Sequence, residues 1–447
     1  MSTTHEMFTA EELEDFAEGL KEWPGTAWET DDYELAVSPF VGFYFLYDTS
    51  RYLDTSLLMV DIHEAFERLS GHPYKVATHP DSERPHLYGS KRLPNLREFA
   101  KKRKPGDSFR FKFTDEPNHS SSPATAGYFC RVRDYMNDRA PEHGLKSYSY
   151  IQFYYRWQWW RDNRDAWRRF VLDIIDRLRP QQVYSGFAMA NPLEFGTRSE
   201  VSVWERSLAT RFYGLDIDDS FGMSMGIEDA LPKGIRSPTW AFFLSDDWRE
   251  KLSLSRDEVR NALRHPRIII HERVTGLWIE LGEQPDLYPV ENGVPELPML
   301  LNKLLRPIRN DNLDLVGTGQ WDGDPNERFT KIDARRWLGR FDEDSDWPGQ
   351  EERFIAPPPA SAAAPPPAAP VQEEQTFPPP PLRKAPIAPA PRTPGGQACP
   401  QAGWWFTPAK ADSLRYFERG EIMPKVEGSA WGDTIWQWSS DQSASRY

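Results

Sequence analysis

The apolar positions of this chain alternate between two periods. Residues 40–47 are aromatic and β-branched, as a strand requires, whereas residues 53–69 repeat apolar side chains at helical spacing. Residues 109–113 and 128–132 read as strands, and residues 148–155 alternate in the same way. The next stretch changes period: Trp160, Trp167, Phe170, Val171, Ile174, Ile175 and Leu178 fall on one helical stripe, which Pro180 ends. Such a stripe belongs in a core and not around a cofactor. Residues 183–190 follow as a strand, then a shorter stripe of Val201, Trp204, Leu208 and Phe212 with Ser199 placed to cap it. Residues 239–244, 267–270 and 277–281 are the last strands, the latter two joined by a turn at Thr275 and Gly276, and residues 297–305 make a late helix. The alternation predicts an α/β fold, a mixed β-sheet packed by helices.

Proline marks the boundary beyond that sheet. Residues 356–394 hold 15 of the 40 prolines, in runs such as 357–359 and 378–381, with alanine filling most of the remainder. This composition predicts an extended spacer, on the order of 100 Å long if stretched at roughly 3.1 Å per residue. Four segments are therefore expected: an N-terminal helical extension (1–33), a main domain (34–355), a Pro/Ala-rich disordered linker (356–398) and a small Trp-rich C-terminal module (399–447). The last is too short to bury much by itself.

Charge narrows the partners. The formal net charge is −14. Residues 356–447 carry eight basic and eight acidic residues, so residues 1–355, with 46 basic and 60 acidic, hold all of it. An anionic body repels nucleic acid and anionic membranes, because affinity for phosphate comes from Lys and Arg displacing counterions. Neither is an expected partner; a basic protein is, although the same charge also serves solubility. No run of about 18 apolar residues occurs, and the N-terminus is polar and acidic where a secretory signal is basic and then apolar, which predicts a cytoplasmic protein. Cys130 and Cys399 make a poor disulfide framework and are expected as free thiols.

Few chemical motifs survive inspection. None of the 15 lysines has Asp or Glu two residues before it, which excludes a nuclease that needs that pair. His63-Glu64 lacks a second His at helical spacing, and His72, His79 and His86 are broken up by Pro73, Pro80 and Pro85. No metal or other cofactor is expected. The run Asp322-Gly-Asp324-Pro-Asn326-Glu327 starts like a calcium loop with Asp333 at its twelfth place, but Glu327 stands where the sharp turn needs Gly, so a polar turn is expected. Gly222-Met-Ser224-Met-Gly226 fits a nucleophile elbow, with Ser224 as nucleophile and Asp246 or Asp247 and His265 or His271 as partners. An elbow needs a buried aliphatic strand before its Ser. Here Asp216-Ile-Asp218-Asp219-Ser220-Phe221 reads as an acidic loop, and the glycines serve turns.

Acidic clusters remain: Asp216/Asp218/Asp219, Glu228/Asp229, Asp246/Asp247 and Asp342/Glu343/Asp344/Asp346. Each alone is explained as a solvated face. Together they suit a decoy for a basic cleft, because complementary charge raises association rate and fixes register. The candidate contacts are Asp216, Asp218, Asp219, Glu228, Asp229, Asp246 and Asp247, with Trp248 as an aromatic anchor.

Several stretches resemble the TsiV-like type VI secretion immunity family: Tyr184-Ser-Gly186-Phe187-Ala188, the helical stripe from Ser199 through Trp204 to Phe212, Ile235-Arg-Ser-Pro-Thr-Trp240 with Phe243-Leu244, Leu277-Trp-Ile-Glu280, the late Leu-rich helix, and Arg328-Phe-Thr-Lys-Ile-Asp333 before Trp337. The resemblance covers roughly residues 34–347 and rests on apolar, fold-defining positions. It implies an immunity protein, not an enzyme, that binds a co-encoded type VI antibacterial effector of the nuclease kind and blocks it in the producer's cytoplasm. The tail, with Cys399-Pro-Gln-Ala-Gly-Trp404-Trp405, Arg415-Tyr-Phe417, Gly420 and Met423-Pro424, is similar to a Trp-rich module attached to proteins encoded around type VI effectors. The long spacer departs from the shorter family pattern. Two other readings stay open: a serine hydrolase built on Ser224, and an adaptor or structural component of a secretion assembly whose principal organ is the tail.

Overall fold

The apolar runs become the strands of one large sheet: β1 (Ala27–Glu29), β2 (Glu34–Leu46), β3 (Val76–Thr78), β4 (Pro85–Leu87), β5 (Phe109–Thr114), β6 (Thr125–Cys130), β7 (Tyr148–Tyr154), β8 (Gln182–Met189), β9 (Leu215–Asp216), β10 (Ala241–Ser245), β11 (Ile268–Arg273) and β12 (Gly276–Leu281). In this computed structural model they follow the order β11-β12-β10-β8-β2-β7-β6-β5-β3-β4, with β1 added to β2 and β9 to β8, 12 strands in all. The β8–β9 pair is parallel. The rest are antiparallel. The structure describes residues 10–29, 34–46, 49–82, 84–104, 109–115, 125–130, 145–190, 205–313, 315, 331–349, 392–407, 413, 415–425 and 434–438. The predicted cap Ser199, the start of its helical stripe, the calcium-like turn before Lys331 and the Cys130 side chain lie outside them.

The helices are α1 (Ala10–Glu22), α2 (Tyr52–Ser70), α3 (Leu96–Lys102), α4 (Trp157–Leu178), α5 (Ser220–Met223), α6 (Asp246–Lys251), α7 (Arg256–Ala262), α8 (Glu296–Leu305) and α9 (Lys331–Leu338). The stripe expected on α4 is core: Trp160, Trp167, Val171, Ile174 and Ile175 are buried, while Phe170 and Leu178 close its margin half-buried. Trp160 meets Trp240 edge-on at 5.4 Å between ring centroids, and Trp167 lies 5.7 Å from Trp240. A bidentate bond locks the same helix to β12: Arg168 donates through Nε (2.9 Å) and Nη2 (2.8 Å) to Glu280, which is fully buried and also accepts from Trp278 Nε1 (2.9 Å). Residues 10–29 are more than an appendage, since Leu13, Phe16, Ala17 and Leu20 of α1 sit in the main core and β1 pairs with β2.

Two compact units divide the chain, Met1–Ala362 and Ala363–Tyr447. The second is a four-stranded sheet, β13 (Arg392–Pro394), β14 (Gly403–Phe406), β15 (Arg415–Phe417) and β16 (Ile435–Trp438), ordered β13-β16-β14-β15. Its β13 takes in residues that the composition had placed in the linker. Cys399, Trp405, Phe417, Met423 and Trp436 form its own core, so the Trp-rich piece does bury a centre of its own.

Candidate partner-binding surface

Two acidic segments remote from one another in sequence, the turn after Ser224 that carries Glu228 and Asp229 and the start of α6 with Asp246 and Asp247, come together at one end of the sheet. Gln182 starts β8 and is in register with Tyr44 of β2 and Leu244 of β10, while Leu46 stands opposite Tyr148, the first residue of β7. The segment after β9 is tied across these ends. Gln182 Nε2 donates to the Leu231 carbonyl (2.9 Å), Tyr148 N to the Ser224 carbonyl (2.8 Å) and Gly226 N to Ser147 Oγ (2.7 Å). Helix α6 continues directly from β10 at the same end. Burial pushes the Tyr148 hydroxyl up to about 12; Trp248 and Gln182 hydrogen-bond it and Asp247 is near enough to add to the rise.

The acidic residues divide into two classes, and Asp216 stands at the other end of β8, in register with Ala188. Asp216 is 1% exposed and Asp218 is 2% exposed, which overturns the reading of these two as members of a solvated face. Asp216 accepts from Arg236 Nη2 at 2.5 Å, and Arg340 Nη2 lies 3.8 Å away. Asp218 accepts from Tyr154 Oη (3.1 Å), Tyr44 Oη (3.4 Å) and Gln152 Nε2. Arg340 in turn donates to the Tyr213 carbonyl (2.8 Å) and Ser237 Oγ (2.7 Å). These are structural ions: a buried charge demands a counter-ion and hydrogen-bond partners, and here Arg236 and Arg340 serve Asp216 while Tyr44 of β2 and Gln152 and Tyr154 of β7 serve Asp218. Burial pushes the Asp216 carboxyl up to about 6, against the pull of Arg236 and Arg340, and burial pulls the Arg340 guanidinium down to about 9 despite Asp216.

The other acids lie outside this knot. Glu228 and Asp247 are exposed, and Asp219, Asp229 and Asp246 half-buried. Glu228 pairs with Lys233 (2.6 Å) in a turn whose Glu228 and Ala230 carbonyls accept from Asn310 Nδ2 (2.8 and 3.1 Å). Asp219 caps α5 by accepting from Gly222 N (3.1 Å). Asp246 is held by Arg249 (3.0 Å) and Arg256, whose hydrogen bonds keep its carboxyl below the ordinary range. Trp248 is buried under Lys251, whose Nζ sits 3.3 Å from the ring centroid, so it supports the surface from beneath instead of projecting from it. The fourth cluster is ion-paired, Asp342 to Arg309 (2.8 Å) and Asp346 to Arg336 (3.0 Å).

Two apolar side chains belong to the same end and went unnoticed in the sequence. Leu46 is 45% exposed and Phe221 38%. Their signal was position: each ends or follows a strand-like run beside an acidic segment.

Ser224 does not form an elbow. It is fully buried, follows a helix instead of a strand, has ordinary helical angles (φ −85°, ψ −7°) and donates its hydroxyl to the Phe221 carbonyl at 2.9 Å. His265 sits 3.6 Å from Glu296, and His271 lies on β11, the outermost strand. Among the described residues, no cluster of three His, Cys, Asp or Glu suits a metal ion, and no helix is long and apolar enough to cross a membrane.

The TsiV family, described as type VI immunity for VRR-NUC, matches residues 80–341. The Pseudomonas aeruginosa T6SS protein PA0821 has a similar fold, with a TM-score of 0.62 at 21% identity over 74% of this chain and 92% of that one. No curated protein matches.

Proposed function

We propose, from the premise that this chain belongs to the TsiV family of type VI immunity proteins, that it binds a VRR-NUC effector in the cytoplasm and neutralises it by covering its basic working surface. The observation that carries this reading is the family match over residues 80–341. The arrangement at the sheet end supports the manner of binding. Glu228, Asp247, Asp219 and Asp229 offer anionic contacts around the apolar Leu46 and Phe221, while Asp246 and Trp248 brace the platform and Asp216 and Asp218 fasten the chain that leads into it. A nuclease must carry cations to hold phosphate, and an anionic face competes for them without undergoing chemistry. The role is non-enzymatic: the buried, hydrogen-bonded Ser224 is poorly placed for a nucleophile.

The test pairs survival with affinity. Cells making the effector should survive when they also make this chain, and the purified proteins should associate. Glu228→Lys with Asp247→Lys should slow association by roughly tenfold at low salt, with the gap closing as ionic strength rises and the Debye length falls below about 10 Å. Normal protection alongside association indifferent to both changes and to salt would place the interface elsewhere. Loss of cells despite soluble chain would reject the immunity reading itself.

A further inference from the structure

We propose that the β11 edge of the large sheet is a self-association surface, occupied by β11 of a second copy of this chain. The argument is independent of the effector.

Among the described residues strand β11 ends the sheet, with β12 on one side only. Gly282 N donates to the Arg267 carbonyl (2.9 Å), so the alternation of an antiparallel pair turns Ile269, His271 and Arg273 toward β12 and the backbone of Ile268, Ile270 and Glu272 away from it. Ile268 N–H is taken by the His265 carbonyl (3.1 Å). Ile270 and Glu272 therefore present N–H and C=O groups in the spacing that another strand would match. Natural sheets usually blunt such an edge with proline, a bulge or inward-pointing charge. This one carries Glu272 and Arg273 at its far end but opens with three consecutive isoleucines, with Ile269 36% exposed, and leads to a hairpin tip where Val274 is 68% exposed.

Beside the edge lies an open groove of about 590 Å³ lined by Arg260, Leu263, Arg264, Pro266, Ile268 and Ile270. A twofold axis through Ile270 makes these features answer one another. Antiparallel pairing sets Ile270 against Ile270, Ile268 against Glu272 and Pro266 against Val274, so the apolar tip of each copy enters the groove of the other beside Leu263, Pro266, Ile268 and Ile270. Such self-complementarity is what an isologous contact requires.

Charge favours the same occupant. Two chains of net charge −14 repel over most of their surface. Here the carboxylates are already neutralised within the chain: Glu272 by Arg256 (2.9 Å) and Arg260 (2.8 Å), Glu296 by Arg267 (2.9 Å) and Asp257 by Arg260 (2.5 Å). Arg264 is exposed and has no carboxylate partner among the described residues, leaving one spare cation per copy to meet an anionic neighbour.

Sedimentation velocity on the full-length protein across the micromolar range tests this. A concentration-dependent species of twice the monomer mass is expected, with amide exchange at Ile270 and Glu272 slowing as that species fills. Ile269→Lys and Val274→Asp should each raise the dimer dissociation constant by at least about tenfold. Both side chains reach solvent, so unchanged circular dichroism should accompany the loss. A monomer at every concentration overturns the proposal, as does a dimer that both variants leave intact.

Discussion

Arg236→Met is the sharpest test of the buried charge knot. The guanidinium is fully buried, bonds Asp216 at 2.5 Å and lies 3.9 Å from Asp218, so its loss strands two aspartates that have almost no access to water. Removing one member of a buried ion pair costs about 3–5 kcal/mol. Arg340 remains 3.8 Å from Asp216 and offsets part of this, which places the expected loss near about 3 kcal/mol. Against a typical stability of about 5–15 kcal/mol that is a large fraction. Urea unfolding followed by Trp fluorescence should show the midpoint falling by roughly 0.5–1 M, because the m-value of a unit this size lies at or above about 3 kcal/mol/M.

The deficit should also depend on pH. The Asp216 carboxyl already sits at about 6 in the fold because burial raises it against the two arginines. A folded-state value above the unfolded one means that the group's contribution is complete below about pH 4 and lost as pH climbs through about 6. Without Arg236 the carboxyl rises further, so protonation relieves the variant more than the parent, and the gap between them should narrow from pH 7.5 to pH 5. A cost under about 1 kcal/mol at pH 7.5, or a gap that does not narrow, would refute the view that Arg236 is the counter-ion these aspartates depend on.

His63→Phe should flatten the acid limb of the stability curve. His63 lies stacked 3.9 Å from Phe113, and burial drives its imidazole down to about 3. The parent therefore keeps its full contribution above about pH 6.5 and loses it as pH falls toward 3, whereas the variant has no such proton to exclude; melting temperatures from pH 7 to pH 4 check this. Glu280→Gln keeps the shape but removes the charge that Arg168 and Trp278 address, and should cost about 1.5–3 kcal/mol in chemical denaturation, with α4 loosening from β12 in amide exchange.

The large elements were legible because their signals are local. Residues 183–190, 277–281 and 297–305 match β8, β12 and α8 to within a residue or two, since apolar runs of that length bounded by Gly, Pro or polar turns leave little choice. The short elements were not. β9 is two residues long and α5 four, and what buries them is supplied by Arg236 and Arg340, twenty and more than a hundred residues away. Read locally, Asp216, Asp218 and Asp219 are one class; only the third keeps a half-open position. Asp247 and Glu228 were correctly read as exposed acids, but that strand order carries them to one end of the sheet was not visible from spacing, because β8 neighbours β2 and β10 and not its sequence neighbour β7. Trp248 was an anchor by residue type and became a support once β10 and Tyr148 closed around it.

The division between interior and exterior carboxylates has an evolutionary consequence. The outer acids hang on turns whose backbone is fastened by Gln182, Ser147 and Asn310, side chains that contact no partner in the proposed arrangement. A lineage meeting a new toxin can therefore exchange Glu228 or Asp247 freely, at little risk to folding, while Asp216 and Asp218 stay frozen. Diversity among relatives should concentrate on that rim and stop abruptly one layer beneath it.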